Sequence, residues 1–75
     1  MLPSELRLFA NEQRNIAHLQ QRMLEKLVKE KIDRSAITVM VEASRDAAFA
    51  AADAADELAQ HFEDIDTHLT NARKS

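Results

Sequence analysis

The sequence predicts an all-α chain, an antiparallel helical hairpin of two long helices that pairs with a second copy into a dimeric four-helix bundle. Three observations predict it. The 75 residues include no Gly and a single Pro, which leaves almost no turn chemistry for strands and sheets. Ile37, Val41, Ser44, Ala48, Ala51, Ala55, Leu58, Phe62, Ile65, Leu69 and Ala72 follow one another at steps of four and three. That 3.5-residue period sets one stripe of a helix against a partner helix. A second seam, Leu2, Leu6, Phe9, Gln13, Ile16, Gln20, Met23 and Leu27, keeps the same rhythm. When the chain doubles back, Leu2 meets Phe62, Phe9 meets Ala55, Ile16 meets Ala48, Gln20 meets Ser44 and Leu27 meets Ile37. Large side chains then face small ones, which is how facing helices interdigitate at native density.

The whole of residues 1–75 reads as one domain, with helix one over about 4–31 and helix two over about 34–71. Ser4 is the expected N-cap of helix one, and Glu5 suits the first turn. Arg7 stands where Glu or Gln would complete a capping box. Lys26, Lys29 and Lys31 crowd the last turns, where cations complement the helix dipole. A break belongs at Ile32 to Ser35. Either Asp33 or Ser35 caps the second helix there, and Ile32 with Ile37 forms a hydrophobic staple. The run Ile37 to Val41 is rich in β-branched residues, but a lone strand has nothing to pair with, so the helical seam decides. The middle of helix two is almost all Ala, the best helix former, and the chain is expected to fray from about Asn71. Gln13 and Gln20 bring polar groups into the seam, and Gln20 can fix register by pairing with Ser44.

A chain this short buries too little surface to be comfortably stable alone. It has no Cys, so a disulfide or thiolate metal site cannot compensate. Oligomerisation is the remaining staple, and the partner expected first is the chain itself. An apolar flank offers the dimer interface: Ala10, Ala17, Leu24 and Val28 beside Phe49, Ala52 and Ala59. Ile65 and Leu69 join it because helix two outruns helix one. Burying Phe49 and Leu24 alone contributes roughly 3–6 kcal/mol per chain before entropy.

The net charge of −3 hides an asymmetry. Residues 1–32 carry six Lys/Arg against four Glu, and residues 33–75 carry four against nine Asp/Glu. Asp53, Asp56, Glu57, Glu63 and Asp64 form an acidic face on helix two, suited to docking on a basic protein surface, where charge sets on-rate and selectivity. Arg7, Arg14, Arg22 and Lys29 form a basic stripe on helix one. That stripe carries the alternative reading, contact with the phosphates of RNA or another nucleic acid. The overall negative charge, the interleaved Glu12 and Glu25 and the lack of exposed aromatics for stacking weigh against it.

His61, Asp64 and His68, with Glu57 before them, share one helix face at a spacing that can ligate zinc. An amphipathic flank covering the core edge explains them better, and no metal or cofactor is expected. His18 reads as plain surface. No nucleophile sits with a base and an orienting group, and no Gly loop cradles phosphate, so no catalytic activity is expected. No apolar run approaches the ~20 residues of a membrane span, and no secretory leader opens the sequence. The expectation is a cytoplasmic protein-protein interaction module of adaptor, chaperone, inhibitor or antitoxin type, in the style of a bacterial or phage accessory chain.

Overall fold

The computed structural model describes residues 2–30 and 36–74, and the expected break with its caps Asp33 and Ser35 and the Ile32 side of the staple lies outside them. Two helices, α1 (Pro3–Lys29) and α2 (Ala36–Lys74), pack against each other as an antiparallel hairpin. The rod measures 64 × 15 × 15 Å. Its length is close to the ~58 Å expected of a 39-residue helix at 1.5 Å per residue, so α2 sets the long axis.

α1 begins two residues earlier than Ser4 capping implies. Leu2 is the N-cap, extended at φ −76° and ψ 149°, and Pro3 is the first helical residue. The Glu5 and Leu6 amides donate to the Leu2 carbonyl at 3.0 and 3.2 Å. Pro is pre-organised for this place, since its φ is already helical and its missing N–H is one the first turn leaves unpaired anyway. At the other end the Glu30 amide donates to the Lys26 carbonyl at 3.0 Å. The helix stops at Lys29, with Lys26 and Lys29 in its last turn.

In α2 the Ile37–Val41 run is helical, and the helix continues through Asn71 to Lys74 rather than fraying. Ala72 is a strong helix former, and Arg73 complements the negative end of the dipole.

One column of each expected seam is kept, with Leu6, Ala48 and Ala55 buried as expected, while the other column shifts by one residue. Leu6, Ala10, Ala17 and Leu24 of α1 are buried, and so are Thr38, Ala48, Ala52, Ala55 and Ala59 of α2. Ala10, Ala17, Ala52 and Ala59 are 0% exposed. They had been expected on the outer flank; they are the contact itself. Phe9, Ile16 and Leu58, expected inside, are 43%, 44% and 45% exposed. The physical reason is size: columns of Ala let two backbones approach closely, and bulky neighbours one position away are pushed to the edge. The register survives the rotation. Gln20 Nε2 donates to Ser44 Oγ, and Phe9 shares a groove with Ala55.

Candidate functional site

Rotating the seam gives the hairpin two unlike edges. On one side of the buried columns α1 presents Arg7, Arg14, Gln21 and Val28, each seven residues after the last. α2 presents Glu42, Phe49, Asp56 and Glu63 at the same spacing. Arg7 grips Glu63 with two parallel bonds, Nε to Oε1 at 2.8 Å and Nη2 to Oε2 at 2.9 Å. This fork geometry is the strong form of an arginine–carboxylate pair. Arg7 also reaches Gln60 Oε1 at 3.2 Å and lies 3.6 Å from Asp56. Arg14 contacts Asp56 at 2.6 Å and Asp53 at 3.0 Å. Farther along, Arg45 Nη1 donates to Gln21 Oε1 at 2.6 Å.

These bonds shift the ionisation of their members. The hydrogen bond from Arg7 lowers the Glu63 pKa, outweighing the opposing push of desolvation, and the Arg7 charge adds a smaller lowering. The hydrogen bonds to Glu63 and to Asp56 and Asp53 raise the Arg7 and Arg14 pKa values further above neutrality. The acidic face and the basic stripe read from the sequence therefore meet each other within one chain. Asp53, Asp56 and Glu63 hold Arg7 and Arg14. Asp64 accepts from Gln60 Nε2 at 2.9 Å, and Glu57 is exposed, as are Arg22 and Lys29. His18 is more than plain surface, because its ring meets Phe49 edge-on at 5.5 Å and 81°.

The other edge is apolar. Leu2, Phe9, Ile16 and Met23 run along α1 at seven-residue steps, and Ile37, Ser44, Ala51, Leu58 and Ile65 run along α2. Leu6, Phe9, Ala51, Ala54, Ala55 and Leu58 line an open groove between the helices. Beyond it Leu2 and Pro3 line a second groove with Phe62, Ile65 and Leu69, rimmed by Glu63, Asp66 and Thr67. Ile65 and Leu69, expected to lie past the reach of helix one, share this groove with its first residues and are 43% and 51% exposed. Of the other residues expected at a dimer interface, Val28 is exposed, Phe49 is half-buried, and Leu24 is buried in the hairpin.

No family model, curated protein or solved structure matches this chain. The site is therefore read from its own chemistry. Among the described residues no group of three His, Cys, Asp or Glu side chains is arranged to hold a metal ion, and His61, Asp64 and His68 form no such cluster. The His61 ring lies tilted beside Phe62 at 6.3 Å. No helix among the described residues is long and apolar enough to cross a membrane.

What the sequence reading missed is the cross-helix ion pairing. The signal was present: basic residues at 7 and 14 and acidic ones at 56 and 63 share a seven-residue step. The antiparallel register brings both sets to the same edge.

Proposed function

We propose that the chain is a non-catalytic protein-protein interaction module that works as a homodimer. Its apolar edge is the association surface. The observation that carries this reading is the contrast between what is buried and what is exposed. No large side chain among the described residues is fully buried in the hairpin, while Leu2, Phe9, Ile16, Met23, Ile37, Leu58, Phe62, Ile65 and Leu69 stand exposed. A contiguous apolar stripe of this extent marks an association surface, and a core made mostly of Ala contributes little burial of its own.

Adaptor, chaperone, inhibitor and antitoxin roles all use such a module, and a cytoplasmic setting suits it. Sedimentation equilibrium at micromolar concentration tests the reading: a mass near twice 8.5 kDa supports it, and a monomer refutes it. The nucleic-acid alternative has lost ground, because Arg7 and Arg14 are committed to carboxylates and only Arg22 and Lys29 of the stripe face outward. A gel shift at low salt decides it.

A further inference from the structure

We infer that the occupant of the apolar edge is a second hairpin lying parallel to the first. In this arrangement both connections sit at the same end, and α1 of each copy lies over α2 of the other. The inference rests on the dimer reading above and adds the geometry of the pair.

The argument begins with area. The nine large side chains of the stripe are each 39–64% exposed, an extent on the scale of the ~800 Å² per partner that a stable interface buries. One further copy is enough to cover it.

Shape then chooses between the two twofold arrangements that bring like edges together. The stripe is uneven across its width. Its α1 side is a ridge of Leu2, Phe9, Ile16 and Met23, and the middle of its α2 side is a trough of Ser44, Ala47, Ala51 and Ala54. A twofold axis along the rod keeps each residue of the second copy at the height of its counterpart. Phe9 and Ile16 of one copy then enter the trough of the other, knob into hole, and Glu5 of one copy comes level with His61 of the other. A twofold across the rod would instead stack ridge on ridge. Centred on the stripe, it would also set Glu12 against Glu12 of the other copy, a like-charge contact.

The two arrangements separate the chain ends by very different distances. The chain has no Cys, so Thr70→Cys gives a single, exposed label site on the far end of α2. With helices ~8–10 Å apart in the bundle, the parallel pair places two nitroxides about 25–35 Å apart. The crosswise pair places them about 60 Å apart, because nearly twenty residues separate Thr70 from the centre at 1.5 Å each. Pulsed dipolar spectroscopy on the labelled full chain, with its mass measured by sedimentation, reads the distance directly. A peak near 25–35 Å in a dimer is the expected result. A dimer with a peak near 60 Å overturns the parallel arrangement and leaves the dimer reading standing. A monomer with no dipolar signal overturns both.

Discussion

The two edges of the hairpin are built on the same seven-residue step, from the same two helices, yet they solve opposite problems. On the Arg7–Arg14 edge each cation of α1 finds carboxylates of α2, so the surface is satisfied within one chain. On the Phe9–Ile16 edge the side chains that follow the same rhythm leave much of their surface in water. The difference lies in what each chemistry needs. An ion pair is complete with one partner and is partly satisfied by water in any case, whereas an apolar side chain gains only from area removed from water. A two-helix rod can finish the first kind of edge alone but cannot finish the second. The charged edge is closed within one chain, and the apolar edge stays largely open to water.

The strongest way to break this comparison is to make the apolar edge resemble the charged one. Phe9→Glu places a carboxylate where the proposed second copy would remove water, and desolvating an unpaired charge is costly. Association should weaken at least about 100-fold, or ~3 kcal/mol. In sedimentation equilibrium at micromolar protein the mass should then fall toward 8.5 kDa. A dimer as tight as wild type would show that the partner lies elsewhere.

The next effect lies between the edges. Ala52 is 0% exposed against Ala10 and Ala55, so Ala52→Leu must push the helices apart. Overpacking of this kind costs about 1–3 kcal/mol, and each kcal/mol lowers the melting midpoint of a domain this size by ~4–8 °C. Ala50→Leu, two residues away and exposed, should leave the midpoint nearly unchanged. Equal effects of the two in a circular-dichroism melt would mean that the Ala columns are not where the helices meet.

These same residues show how far the sequence can be read. The helices, their antiparallel return and their register follow from periodicity, and Gln20 meets Ser44 as the paired seams require. The rotation about each helix axis does not follow. Phe9 and Ala10 are neighbours that both repeat at seven-residue steps into apolar residues, Ile16 and Ala17 among them, so either column satisfies the same pattern. Hydrophobicity favours the larger column; close backbone approach favours the Ala column, and the structure takes the second. Leu24 and Ala59 moved from the expected outer surface to the interior for that reason. The acidic and basic faces were legible as composition, but their mutual engagement depends on the rotation and so was not.

A smaller effect tests the polar contact that the sequence did anticipate. Gln20 Nε2 donates to Ser44 Oγ, while Gln20 Oε1 is buried with no hydrogen-bond partner among the described residues. Ser44→Ala removes the contact and should cost about 1 kcal/mol, visible as a lower denaturation midpoint with unchanged cooperativity. Gln20→Leu together with Ser44→Ala should recover most of it, since replacing both partners by apolar groups leaves neither unpaired. Failure of the double variant to improve on Ser44→Ala would argue that the pair contributes nothing to register.

The smallest effect belongs to the charged edge, and its sign is fixed by Glu63. The hydrogen bond from Arg7 holds the Glu63 carboxyl below its ordinary pKa against desolvation, with a smaller lowering from the Arg7 charge. A group whose folded pKa is depressed binds its proton more readily in the unfolded chain. Its contribution is therefore present above the unfolded value of ~4.3 and is lost as pH falls through the folded value. Arg7, whose pKa is raised, stays charged throughout that window. Glu63→Gln should accordingly change the neutral-pH melting midpoint by at most a few degrees, because exposed ion pairs are weak. It should also flatten part of the decline in midpoint as pH falls below about 5. If wild type and Glu63→Gln lose stability along the same acid slope, the bidentate contact with Arg7 orients the edge without stabilising it.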